Sequence, residues 1–214
     1  MKSLGYVAVA VLAAAAGFAI YRYGIAPQPR EQQIAAAPTP EPATPAQSPL
    51  PTELPEFSLP DRDGQMRSIR SWPGKSMIVN FWATWCAPCR REIPLLRQIQ
   101  KENDGIQVVG IALDFDQDAL RYAAEIGIDY PILLGEKDGY DAVNRFGLES
   151  PALPFTVFTD NQARIVLTHL GEVTRPQSKV MLDAVARVNR GELTPAAART
   201  VVARQLQQLD TPGT

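Results

Sequence analysis

The stretch Asn80-Phe81-Trp82-Ala83-Thr84-Trp85-Cys86-Ala87-Pro88-Cys89 decides how the rest of this chain is read. It opens inside a largely apolar run, Ser76-Met77-Ile78-Val79-Asn80-Phe81-Trp82, whose branched and aromatic side chains predict a strand buried on both faces. It closes on two cysteines at C-x-x-C spacing, and a helical pattern follows to about Asn103, where Asp104-Gly105 ends it. Pro94 falls inside that helix, removes one backbone hydrogen bond and predicts a kink. The cysteines therefore stand where a buried strand turns into a helix. Cys86 would occupy the helix N-terminus, where unpaired N–H groups and the positive end of the dipole favour thiolate over thiol and make it the attacking nucleophile. Cys89, about one turn further in, is the shielded thiol that resolves a mixed disulfide formed on Cys86. Pro88 lies early in the helix, where its missing N–H costs little.

The rest of the composition narrows the chemistry. Among 214 residues there are two Cys and one His, too few for the four ligands of a structural zinc site or a cysteine-held iron-sulfur cluster. A disulfide-dense secreted scaffold is excluded in the same way. C-x-x-C has two plainer readings. Half of a zinc site would need His169 and a further ligand, and a static disulfide across two intervening residues closes so short a loop that it gains little chain entropy. A net charge of −2 leaves no basic footprint, so no nucleic-acid partner is expected. No nucleotide or flavin fingerprint is present, and neither a cofactor nor a metal is expected.

Outward from the motif, the chain divides by composition. Residues 4–20 carry no charge, and with residues 21–25 they approach the roughly 20 needed to span a hydrocarbon core. Tyr21 and Tyr23 flank Arg22 at the expected interface, so residues 1–25 predict a retained membrane anchor. The competing reading is a cleaved signal peptide. Residues 26–52 are rich in Pro and Ala with little to bury, and predict a tether; at about 3.1 Å per residue it would reach up to roughly 80 Å. From residue 53 the pattern changes. Asp63-Gly64 predicts a hairpin turn, residues 106–113 a second buried strand, 116–126 a helix ended by Gly127, 130–134 a short strand and 140–146 a short helix. Two strands around Asp160-Asn161 follow, then a helix from Pro176 to about Asn189 closed by Gly191. A last amphipathic helix over residues 195–209 has no predicted place. This order means an α/β domain with a central mixed sheet flanked by helices over residues 53–190, and a helical extension over 191–214.

Asn80-Phe81-Trp82-Ala83-Thr84-Trp85-Cys86-Ala87-Pro88-Cys89-Arg90-Arg91-Glu92-Ile93-Pro94 resembles the active-site stretch of membrane-anchored thiol-disulfide oxidoreductases of the TlpA, ResA and DsbE type. The resemblance covers about residues 53–189. It implies a thioredoxin-like fold with an added N-terminal β-hairpin and a mid-fold insertion, supplied here by residues 114–146. It also implies a Cys86–Cys89 redox disulfide. Asn80 stands where thioredoxins proper carry a buried Asp, so their usual proton acceptor is absent, whereas ResA-type members carry a Glu at the position of Glu92. A carboxylate there could take up and return the proton of Cys89. The plain alternative is a solvated helix residue. Pro154 resembles the family's cis-proline facing the cysteines, with Pro151 as competitor, and Leu153 before it stands where many relatives carry Thr. Trp85, Ala87, Pro88 and Leu153 are the implied substrate contacts, Leu153 through its backbone.

The resulting expectation is a reductase of protein disulfides, with cytochrome c or copper-site cysteines as substrates, supplied with electrons by a membrane donor. The expected location is the inner membrane, single-pass, with the catalytic domain in the periplasm or on the extracytoplasmic face. Two other classes stand against it. One is a thiol peroxidase of the broader peroxiredoxin-like group, whose usual upstream Pro and Thr this motif does not supply; the other is a non-catalytic tethered binding module.

Overall fold

The computed structural model describes residues 51–148 and 152–210, with Phe18 and Tyr21. The expected anchor, apart from those two residues, and residues 26–50 of the tether lie outside the described residues, as does Pro151. Among the described residues no helix is long and apolar enough to cross a membrane.

The chain first forms the hairpin of β1 (Ser58–Pro60) and β2 (Met66–Ser68). Gly64 takes a positive φ of 74° in its turn, and the Asp61 carboxylate accepts hydrogen bonds from the N–H groups of Asp63 and Gln65, both at 3.0 Å. Then come β3 (Ser76–Trp82), α1 (Ala87–Glu102), β4 (Ile106–Ala112), α2 (Asp116–Glu125), β5 (Ile132–Leu134) and α3 (Gly139–Asn144). The order ends with β6 (Phe155–Thr159), β7 (Ile165–Leu170), α4 (Arg175–Asn189) and α5 (Pro195–Asp210).

Five strands form one sheet in the order β5-β4-β3-β6-β7. β3, β4 and β5 run parallel, as their helical crossovers require; β6 and β7 add an antiparallel hairpin on the other side of β3. β3, at the centre, is buried at all seven positions, which explains why its sequence shows no simple inside-outside alternation. Its side chains nevertheless alternate between two cores. Met77, Val79 and Phe81 join Leu59, Ile69, Val143 and Phe146 on the face covered by the hairpin and α3. Ile78 and Trp82 join Ile93, Leu96, Ala119, Met181 and Val185 on the face covered by α1, α2 and α4. The expected insertion thus serves both faces, α2 on one and α3 on the other.

α1 runs through Pro94 without interruption. α4 begins at Thr174 with a reciprocal capping box to Gln177 and carries Pro176 in its first turn. α5, unplaced by its sequence, packs on α4 and β7 with Ala198 and Val202 buried. Its Arg199 Nη1 donates to the Ile165 carbonyl at 3.0 Å, so the helix partly covers the edge strand of the sheet.

Candidate active site

The end of β3 delivers the motif. Residues 83–86 form a turn closed by the Cys86 N–H donating to the Ala83 carbonyl at 3.2 Å, and Cys86 is the N-cap of α1 with extended backbone. Cys86 and Cys89 are joined as a disulfide with Cα atoms 5.3 Å apart, and the Cys86 sulfur accepts from the Cys89 N–H at 3.3 Å. That amide is one of the helix's unpaired N-terminal donors, the group that would stabilise a Cys86 thiolate once the disulfide is opened. Cys86 keeps 5% exposure and Cys89 none, so only the first sulfur has any access to a partner.

Beneath the pair lies a polar group of three side chains. Glu92 follows Cys89 by three residues, so both face the sheet from α1 along with Ile93 and Leu96. Asn80 is in phase with Ile78 and Trp82 on β3 and therefore points at the same helix. The Asn80 amide donates to Glu92 Oε1 at 2.7 Å and to the hydroxyl of Thr156, its register partner on β6, at 3.0 Å. Glu92 Oε2 accepts from the Val173 N–H at 2.9 Å. Glu92 is 1% exposed, which rules out the solvated-residue reading. Burial dominates its acidity: two donated hydrogen bonds favour the carboxylate, yet desolvation, helped by the charge of Glu172, pushes the pKa up to about 7. Glu172 is held beside it by an ion pair to Arg91 at 2.6 Å.

Trp82 is fully buried under the motif, packed at 6.0 Å against the ring of Tyr122. Gly110, register partner of Asn80 on β4, makes room for it: a Cβ there would meet Trp82 Nε1 at 2.9 Å and the Tyr130 ring at 3.2 Å. Burial pushes the Tyr130 phenol up, and the nearby Glu92 charge adds to the effect.

The Leu153–Pro154 peptide is cis. Phe155 pairs with Phe81, so Pro154 stands at the same end of the sheet as the turn that carries Cys86. Trp85 and Ala87 are exposed there, and Pro88 and Leu153 are half-buried. Leu170 and Phe115, which end β7 and follow β4, are also exposed at this end and were not singled out by sequence. Thr156 and Val173 were missed too. No spacing signal announces them, because they reach the site through strand pairing and a loop after β7. His169, on the edge strand, has its Nε2 3.4 Å from the Glu172 carbonyl. Among the described residues no cluster of potential metal ligands occurs. A cleft of about 280 Å³ lined by Leu54, Trp72 and Met77 opens at the far end of β3 from the cysteines and takes no part in this chemistry.

Residues 51–168 match the AhpC/TSA family, and the chain belongs to it. The thioredoxin-like protein YneN of Bacillus subtilis is 32% identical over 136 residues, spanning 61% of this chain and 77% of that protein. The thiol-disulfide oxidoreductase ResA of Geobacillus thermodenitrificans is 25% identical over 134 residues, spanning 61% and 75%. Among solved structures, a secreted thiol-disulfide isomerase from Corynebacterium glutamicum superimposes with a TM-score of 0.54 at 27% identity, covering 70% of this chain and 85% of that one. The fold is thioredoxin-like.

Proposed function

We propose that this thiol-disulfide oxidoreductase works as a membrane-tethered reductase of extracytoplasmic protein disulfides, cycling Cys86 and Cys89 between dithiol and disulfide. The observation that carries this reading is the C-x-x-C disulfide at a helix N-terminus with a buried carboxyl on the same helix face. The Cys86 thiolate attacks one sulfur of the substrate disulfide, forms a mixed disulfide and expels the first substrate thiolate. The Cys89 thiol then gives its proton to Glu92, attacks the Cys86 sulfur and releases the second substrate thiolate, leaving the Cys86–Cys89 disulfide. A pKa of about 7 suits Glu92 to this exchange, since it can hold or release a proton near neutral pH. The backbone of Leu153, before the cis proline, offers an edge for an extended substrate segment, with Trp85, Ala87 and Pro88 around it.

The two electrons spent on each substrate return from a dithiol donor in the membrane. The proposed location is the inner membrane, with the catalytic domain on its periplasmic or extracytoplasmic side; the uncharged segment of residues 4–20 and the Pro-rich composition of residues 26–52 support it. Apocytochrome c haem-binding cysteines or copper-site cysteines are the proposed substrates.

The test is trapping. Cys89→Ser in the full chain removes the resolving thiol, and mixed disulfides between Cys86 and extracytoplasmic proteins should accumulate and be identifiable by mass spectrometry. Absence of any such adduct overturns the reading, and a reduction potential near about −120 mV, that of a strong oxidant, overturns its direction.

A further inference from the structure

β3 and β4 run parallel and in register to their ends, Trp82 beside Ala112, so the loops leaving them stand side by side. One loop is the turn that places Cys86; the other is Leu113-Asp114-Phe115, leading into α2. A single carboxylate joins them. Asp114 Oδ2 accepts from the backbone N–H of Thr84 at 2.9 Å and from the Thr84 hydroxyl, while Asp114 Oδ1 accepts from the N–H of Phe115 at 2.8 Å. Thr84 is the second residue of the turn closed by the Cys86 N–H on the Ala83 carbonyl.

We propose that Asp114 is a positioning residue for the exchange reaction, clamping the turn of residues 83–86 so that the Cys86 sulfur stays on the N-terminal amides of α1. Two hydrogen bonds from Thr84 tie the turn to one half-buried carboxylate, and the third, from the Phe115 N–H, holds that carboxylate in place. The turn must hold its shape after the Cys86–Cys89 bond opens, because the disulfide then no longer ties Cys86 to the helix. Thiolate stabilisation by helix amides falls off within the first turn, so a small drift of Cys86 removes it.

The clamp predicts a sign opposite to that of simple electrostatics. Removing a negative charge near Cys86 would lower its thiol pKa, whereas releasing the turn raises it. The inference rests on Cys86 being the attacking thiolate, and the experiment separates the two. In the reduced full-length protein, alkylation of Cys86 by iodoacetamide is followed against pH, with folding checked by circular dichroism. Fast alkylation of the unsubstituted protein at Cys86 well below pH 8 is expected; its absence counts against the function proposed above and not against the clamp.

Asp114→Ala should move the alkylation midpoint up by about one pH unit, a tenfold loss of thiolate below the midpoint. Asp114→Asn, which loses the charge but keeps an acceptor for Thr84, should restore most of the original profile. Thr84→Val, which keeps the carboxylate and removes one donor, should move the midpoint up by less than Asp114→Ala does, and it serves if Asp114→Ala fails to fold. A midpoint that does not move in Thr84→Val, that moves down in Asp114→Ala, or that moves alike in Asp114→Ala and Asp114→Asn, overturns the clamp.

Discussion

On one face of the central sheet Phe81, Phe146 and Phe155 pack ring to ring at 5.7–6.1 Å, with Phe57 joining at 6.3 Å from Phe146. On the other face, one residue along the same strand, Asn80 meets Glu92 and Thr156 beneath a disulfide. β3 is buried on both faces, and their opposite chemistry follows from its two-residue period. The aromatic face contributes hydrophobic stability and asks only for volume and shape. The polar face carries an acid whose desolvation destabilises the fold at high pH, and that same desolvation brings its proton affinity to neutrality.

If the faces divide stability from chemistry, substitutions on each should separate cleanly. Phe146→Ala, on the aromatic face, should lower unfolding free energy by about 3–5 kcal/mol in a denaturant titration. The rate of Cys86 alkylation at 25 °C should remain that of the parent as long as the variant is folded. A changed rate would break the division.

On the polar face the expected effect is somewhat smaller and depends on pH. The folded protein binds the Glu92 proton more tightly than the unfolded chain does, since its pKa is about 7 against 4.5. The stability from that proton is therefore complete below about pH 4.5 and is lost as pH rises through 7, about 3 kcal/mol in all. Glu92→Gln should remove this part of the pH dependence in parallel denaturation curves from pH 4 to 8, and should slow release of trapped substrate from Cys86. Equal slopes in parent and variant would show that Glu92 is not a neutral-range acid.

The smallest effect belongs to Glu172, which adds its charge to the burial of Glu92 from the far side of the Arg91 ion pair. Glu172→Gln should lower the Glu92 midpoint by only a few tenths of a pH unit, because the half-buried Glu172 is already paired with Arg91, whose exposed guanidinium offsets its charge. The midpoint can be followed by infrared titration of the carboxyl band. An upward shift would reverse the assigned role.

Much of this molecule was legible in the chain. Residues 76–82 showed a doubly buried strand, Asp63-Gly64 a hairpin, and C-x-x-C after a strand a redox pair at a helix start. Glu92 was legible through the resemblance to ResA-type members, as a proton-accepting acid with a solvated helix residue as its alternative, and burial at 1% exposure decides for the acid. Thr156 and the Val173 amide were invisible, because each touches the site from more than 60 residues away. Asp114 read only as the first residue of the mid-fold insertion.

The sequence by itself determined the elements and the reactive sulfur pair, because periodicity, turn residues and helix-start chemistry act over a few neighbouring residues. Tertiary structure alone decided the acidity of Glu92, the partners of Asn80 and the joining of Thr84 to Asp114. Desolvation, register and the meeting of parallel strand ends depend on which distant segments pack together, and none of these is written in local spacing.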